Sequence, residues 1–287
     1  MIILLIISLI EINIYSNKDT YLLGEDILVW WEIVNEGNSL DYFEESGDAP
    51  KLTNDGKLWD INGREGEHNQ IMLMRAGQVP LKEIEPGDTV KYKEVNLIGI
   101  FGSLGFAENG FLNRYIKLGE YFLSLFYITG SNRSQKVYSD TLHFFVIEPS
   151  GEEKIVWDLY KEFKRYYNLA KGKEMVKYAI EILRKYPTSD YIESLFRTLS
   201  VEFSVLKRKE FIEKRKEMSE ITRELLNYLE TNVDKFSENH STLKEALWCI
   251  TYGELMLGIS QDKVKNLIIQ MNIPVDNEIK EFLKINN

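Results

Sequence analysis

The hydrophobic period of this chain changes once, near residue 150. Before that point apolar residues recur at every second position, as in Val90-Tyr92-Glu94 against Lys91-Lys93-Val95 and Tyr121-Leu123-Leu125-Tyr127 against Phe122-Ser124-Phe126. After it they recur every third or fourth position, as in Val176, Ala179, Ile180 and Leu183. Strands send successive side chains to opposite faces, whereas helices bring residues three and four apart onto one face. Two periods in two blocks therefore predict a β region followed by an α region. The turn-rich stretch Glu148-Pro149-Ser150-Gly151-Glu152 separates them. Charge divides at the same place: residues 1–150 carry 22 acidic and 12 basic side chains, and residues 151–287 carry 23 of each. The whole net charge of −10 thus sits in the first block. An acidic half joined to a neutral half argues against nucleic acid or an anionic membrane as the main partner. At 287 residues the chain is long enough for two domains, each with its own core.

Within residues 1–148, β-branched and aromatic runs alternate with turn residues. Ile27 to Val34 ends at Asn35-Glu36-Gly37-Asn38, Gln70 to Met74 ends at Ala76-Gly77, and Thr89 to Leu97 follows Pro86-Gly87-Asp88. Gly119 to Ile128 and Lys136 to Ile147 complete the set. Five to eight such segments predict an antiparallel sandwich. Met1 to Ile10 is almost wholly apolar, but ten residues are too few for a spanning helix, which needs about 20. No Lys or Arg precedes Lys18 and no small-residue cleavage site follows, so a secretory signal is poorly formed. The alternation of Leu9-Glu11-Asn13-Tyr15 with Ile10-Ile12-Ile14 predicts a first strand instead, and the alternative is a shortened signal.

Tyr21-Leu22-Leu23-Gly24-Glu25-Asp26-Ile27, followed by a strand and Asn35-Glu36-Gly37, resembles the opening of extracytoplasmic immunoglobulin-like domains of the macroglobulin type. Ile84-Glu85-Pro86-Gly87-Asp88 and Leu118-Gly119-Glu120-Tyr121 resemble two further turns of those domains. The resemblance implies an immunoglobulin-like fold and says nothing of function. Asp55-Gly56-Lys57-Leu58-Trp59 is similar, more faintly, to a stretch of the bacterial intracellular proteinase inhibitor domain.

Beyond residue 150 the apolar stripes predict seven helices. Ile155, Val156, Leu159, Phe163 and Tyr167 line the first, and the second ends at Tyr186-Pro187. Ser189 or Asp190 caps a third, with Ile192, Leu195, Phe196, Leu199, Phe203 and Leu206 inward. Met218, Ile221, Leu225, Tyr228 and Leu229 mark a fourth, and Thr242-x-x-Glu245 reads as a capping box opening a fifth. Val264, Leu267, Ile268 and Met271, then Ile279, Phe282 and Leu283, mark the last two. Tyr178 to Tyr191 resembles the end of a tetratricopeptide repeat, although no regular 34-residue period can be aligned. The expectation is an immunoglobulin-like β-sandwich over residues 1–149 and a tetratricopeptide-like helical hairpin domain over residues 150–287.

No constellation for catalysis stands out. His68, His143 and His240 are scattered without H-E-x-x-H spacing, the one cysteine, Cys249, lies in an apolar helix, and Gly99 to Gly105 lacks the lysine of a phosphate loop. His143 reads as a hydrogen-bonded structural histidine and Cys249 as inert packing. Nine acidic residues between Glu36 and Glu67 read as a solvated loop, with a Ca²⁺ site drawing on Asp41, Glu44, Glu45 and Asp48 as the alternative. Lys207-Arg208-Lys209 and Lys214-Arg215-Lys216, interleaved with glutamates, read as a solvated helix face supported by a Glu210–Lys214 pair. The alternative there is a patch for an acidic or phosphate-bearing partner.

The adjacent Trp30 and Trp31 must point to opposite faces of one strand. One joins the core, and the other is covered by the second domain, a neighbouring loop or a ligand; exposed aromatics on sandwich faces hold sugar rings in many carbohydrate-binding modules. The long Ile98–Lys117 segment, with Phe101 and Phe106, reads as a binding loop. Trp30, Trp31, Phe101 and Phe106 are the candidate ligand-binding residues, with no catalytic, metal or cofactor site. The leading expectation is a non-enzymatic binding or scaffold protein acting outside the cytoplasm on a protein or peptide partner. A glycan-binding module and a proteinase inhibitor acting through the Ile98–Lys117 loop are the alternatives.

Overall fold

The computed structural model describes residues 9–45, 55–66, 79–98, 115–237, 239–270 and 277–284. The chain divides into two compact units, Met1–Glu148 and Pro149–Asn287. The described part of the first unit is all strand and turn apart from single helical turns. Its strands are β1 (Ile10–Ser16), β2 (Thr20–Leu22), β3 (Leu28–Asn35), β4 (Asp41–Glu44), β5 (Gly56–Asp60) and β6 (Leu81–Ile84). They continue with β7 (Thr89–Lys91), β8 (Val95–Asn96), β9 (Gly119–Thr129), β10 (Gln135–Tyr138) and β11 (Leu142–Ile147).

A smaller antiparallel sheet runs β1-β3-β7, with β8 also on β3. A larger sheet runs β2-β11-β9-β4-β6, with β5 and β10 also on β9. Its β2–β11 pair is parallel, so this sheet is mixed rather than antiparallel throughout. The two sheets share one core. Ile10, Ile12, Ile14, Val29, Trp31 and Ile33 come from the smaller, and Tyr121, Leu123, Leu125 and Tyr127 from alternate positions of β9. The Trp31 indole N–H donates to the Tyr127 hydroxyl across this core at 2.9 Å, and both side chains are fully buried.

Two segments expected as single strands are each two. Thr89–Leu97 breaks at Tyr92, whose N–H still donates to the Trp31 carbonyl and whose ring stacks on Trp31 at 5.1 Å. Lys136–Ile147 breaks at Asp140, which turns toward the other sheet. Its N–H donates to the Ile12 carbonyl, and its carboxylate accepts from the Ile14 N–H at 2.8 Å. The expected strand Gln70–Met74 lies outside the described residues.

The turn signatures meet in space. Gly87, with φ +81°, is the third residue of the Glu85–Asp88 turn, a position that needs positive φ. Its N–H donates to the Asn35 carbonyl. The fully buried Asn35 amide donates to the carbonyls of Ser39 and Ile84, both at 2.9 Å, and its oxygen accepts from the Gly37 N–H. One side chain thus ties the Asn35-Glu36-Gly37 corner to the Pro86-Gly87-Asp88 corner. Around Gly24 (φ +86°), the buried Glu25 carboxylate accepts from the Leu22 N–H and pairs with Lys18 at 2.5 Å.

The second unit contains α1 (Gly151–Asn168), α2 (Gly172–Lys185), α3 (Ile192–Leu206), α4 (Ile212–Asn232), α5 (His240–Leu257), α6 (Asp262–Gln270) and α7 (Asn277–Leu283). The stripes of α2 and α3 are buried as their spacing predicts. In α1 the buried face is Val156, Trp157, Tyr160 and Phe163, while Ile155 is 52% exposed. Apolar residues occupy more than one side of that helix, and the larger rings take the core. The expected caps also shift. The N-cap of α5 is Asn239, three residues before Thr242: its side chain accepts from the N–H groups of Ser241 and Thr242. Glu245, freed from capping, shares Arg197 with Glu193. Helix α3 has Tyr191 at its N-cap with no side-chain cap bond; Ser189 instead donates to Glu153 at 2.7 Å. Lys214 pairs with Glu202 rather than Glu210. Helices α4 and α5 approach closely at Gly253, where a β-carbon would lie 2.8 Å from Leu226. No helix among the described residues is long and apolar enough to cross a membrane.

Among the described buried groups of this unit without a hydrogen-bond partner is one carboxyl. Glu254 of α5 is 1% exposed, and neither carboxylate oxygen has a hydrogen-bond partner. Burial pushes its pKa up to about 7; Glu230 of α4 and Asp262 of α6 push the same way and Lys263 of α6 opposes them. The folded chain therefore holds this proton more tightly than the unfolded chain. Stability is greatest below about pH 4.5 for this group and declines as pH rises toward 7. Glu254→Gln, which mimics the protonated form, should stabilise the chain by roughly 2–3 kcal/mol at pH 8 and by almost nothing at pH 4.5. Urea unfolding of both proteins at the two pH values measures this, and a difference independent of pH would refute it. In the first unit, Tyr127→Phe should cost about 1–3 kcal/mol by leaving the Trp31 N–H buried and unpaired. An unchanged urea midpoint would show that the inter-sheet bond contributes nothing.

Candidate functional site

Strand β3 separates the two adjacent tryptophans. Trp31 has zero exposure, donates to Tyr127 and stacks on Tyr92, so it is a core residue and touches no ligand from solvent. Trp30 is half-buried on the opposite face. The β1–β3 register sets Tyr15 opposite it, and the two rings stack at 5.9 Å. The cover that Trp30 needs thus comes from the neighbouring strand. Phe101, Phe106, His68 and most of the Ile98–Lys117 loop lie outside the described residues.

A larger aromatic surface stands on the outward face of the mixed sheet. Because Tyr121, Leu123, Leu125 and Tyr127 face the core, β9 turns Phe122, Ser124 and Phe126 the other way. Pairing sets Trp59 of β5 and His143 of β11 on either side of Phe122. The rings stack across the three strands, Trp59 on Phe122 at 5.9 Å and Phe122 on His143 at 4.7 Å, with Phe145 tilted against His143 at 4.7 Å. His143 Nε2 lies 2.8 Å from the Glu120 carboxylate, so this histidine is hydrogen-bonded as expected, but at the surface. Further along β9, Phe126 meets Tyr138 of β10, and the Lys136 ammonium sits 3.4 Å above the Phe126 ring. Asp55, Lys57, Glu65 and Ser124 join these residues around a groove of about 320 Å³. Ile61, Tyr138, Phe145 and Ile147 are all exposed on this unit.

The geometry limits what this surface can do. Rings stacked on one another use their faces on each other and present edges outward. Lys136 covers the Phe126 face with a cation. The row therefore offers apolar edges, a Glu120–His143 pair and a nearby lysine. The sequence signal for it was the apolar character of both faces of β9. A strand apolar on both sides has something to meet on each.

Among the described residues of the acidic segment, Glu36, Glu45 and Glu65 are exposed, as a solvated stretch would be, while Asp41 and Glu44 are buried. Asp41 and Glu44 are 4% and 5% exposed, and Arg133 holds Glu44 at 2.8 Å while also donating to the Val79 carbonyl. Glu65 pairs with Lys57 at 2.6 Å, and Asp60 with Arg64 at 2.9 Å. The Arg64 backbone N–H, with its guanidinium and the Asn62 N–H, holds the Asp60 carboxyl below the usual range. Asp48 lies outside the described residues, and among the described residues no three metal-ligating side chains converge. Cys249 is fully buried, and burial pushes its thiol far above the ordinary range.

No protein-family model matches this chain, and no curated protein matches its sequence. Solved structures match part of it. Spo0M, a sporulation control protein from Bacillus subtilis, is 12% identical with a TM-score of 0.29, over 54% of this chain and 56% of that one. A β-glucosidase from Listeria innocua is 16% identical with a TM-score of 0.24, over 48% of this chain and 16% of that one. The β-glucosidase EmGH1 from Erythrobacter marinus is 10% identical with a TM-score of 0.24, over 49% and 16%. The chain spans about half the length of Spo0M and about a sixth of the glucosidases. Similarity this low carries no functional argument.

Proposed function

We propose that this chain is a non-enzymatic binding or scaffold protein, built as an immunoglobulin-like β-sandwich followed by a tetratricopeptide-like helical domain. It acts outside the cytoplasm, at the cell envelope, and holds a protein partner through the outward face of the mixed sheet. The observation that carries this reading is the ring row Trp59–Phe122–His143–Phe145, which leaves apolar edges in solvent beside a charged pair. Exposed apolar area of this kind is enriched where proteins meet. The resemblance of the Tyr21–Ile27 turn to extracytoplasmic domains supports the compartment. A glycan-binding reading draws on the exposed Tyr138 beside the polar groove.

The test compares the wild type with a Phe122→Ser/Phe145→Glu variant shown by thermal unfolding to be folded. A partner captured and then purified should lose at least tenfold in affinity for the variant, as loss of a central aromatic cluster does at other interfaces. Equal binding by both proteins would remove the sheet face from the site. Binding on a glycan array that is lost in Tyr138→Ala would favour the sugar reading, and substrate turnover by the wild type would end the non-enzymatic one.

A further inference from the structure

The helical unit carries a second concavity of different chemistry. Helix α4 buries Met218, Thr222, Leu225, Leu226 and Leu229. Arg215, Ser219 and Arg223 fall four residues apart along the line beside that face, so they stack one turn above another. The last turn of α5, with Met256, Leu257 and Gly258, makes the facing wall, and the hollow between them measures about 290 Å³. Its charged lining is Arg215, Lys216 and Arg223, with no carboxylate among the lining residues.

Among the described residues these cations make few contacts within the fold. Helix α5 ends without them: Gly258 takes φ +68°, and the N–H groups of Gly258 and Ile259 donate to the carbonyls of Leu255 and Glu254. Arg215 reaches the Lys207 carbonyl only at 3.5 Å. Lys216 pairs with Glu213 at 3.0 Å, but both side chains are more than two-thirds exposed, where such pairs contribute little. Glu224, the acid next to Arg223, is held by Arg184 of α2 at 2.8 Å. The apolar part of the wall is Ile212, 46% exposed and one turn before Arg215, with the half-buried Leu257 opposite; Met256 is buried, and Ser219 lies between the two arginines on α4.

We propose that this groove binds an extended acidic peptide of the pattern acid-x-apolar-x-acid. The spacing carries the pattern. Arg215 and Arg223 are eight positions apart on the helix, about 12 Å along the axis. An extended peptide spans that distance in about four residues, and its first, third and fifth side chains share one face. Two carboxylates then meet the two planar guanidiniums in bidentate fashion, and the apolar side chain between them lies against Leu257 of the facing wall. The site is separate from the sheet face of the first unit, so either can fail without the other.

The experiment uses the full chain and the labelled peptide Ser-Glu-Ser-Leu-Ser-Glu-Ser, with its Gln-for-Glu and Ser-for-Leu versions. Fluorescence polarisation should show binding that weakens steeply from 50 to 300 mM NaCl, as screened charge pairs do. Arg215→Ala and Arg223→Ala should each lower affinity about tenfold, from the loss of a charge-assisted pair. The Gln peptide should bind far more weakly, and the Ser-for-Leu peptide several-fold more weakly. Both arginines project from the surface side of α4, and an unchanged thermal unfolding curve confirms that the variants fold. No binding at millimolar protein, equal binding of the Glu and Gln peptides, or affinity untouched by both arginine substitutions would each overturn the proposal. Equal competition by inorganic phosphate and by the Glu peptide would reduce the groove to a general anion site and also overturn it.

Discussion

The first unit depends on the register of β9. This eleven-residue strand pairs with β4, β5, β10 and β11, and every second residue from Tyr121 to Tyr127 is buried. A slip of one residue would exchange its two faces, sending Phe122, Ser124 and Phe126 into the core and four core side chains into water. A polar contact across the core opposes such a slip. The Trp31–Tyr127 bond fixes β9 against the smaller sheet. The core and the outward ring row are thus two results of one alignment.

The helical unit is ordered differently. Its stability rests on apolar stripes, and its charges are arranged around them. Arg197 pairs with two glutamates at once, and Lys214 reaches back to Glu202 of α3. Glu254 is the exception, a buried carboxylate without a donor. Local conflict of this kind is costly, and a fold keeps it only where the surrounding packing outweighs it. The apolar neighbours Ala246, Leu247, Ile250 and Met256 on the same helix supply that packing.

The order of a β region and an α region could be read from the change in hydrophobic period, because each period is a direct consequence of backbone geometry. The inward set of β9 and the stripes of α2 and α3 could be read for the same reason. The short strands β2, β4, β5 and β6 could not, since three to five residues are too few to establish a period. The parallel β2–β11 pair was invisible because pairing partners lie more than a hundred residues apart. Caps were misplaced where two candidates competed: Asn239 accepts from two N–H groups, and Thr242, read as the cap, donates one of them. The ring row was missed as a site for a related reason. Trp59, Phe122 and His143 become neighbours only through strand register, while the Trp30–Trp31 pair drew attention by adjacency in sequence alone.

The absence of one methyl group at Gly253 has a reach beyond packing. It sets how near α5 can come to α4, and those two helices are the walls of the arginine-lined hollow. The width of that hollow is therefore encoded at a buried position that no bound segment touches. Divergence at residue 253 would regauge the opening while leaving every lining residue intact, so two chains with identical grooves on paper could differ in what they hold.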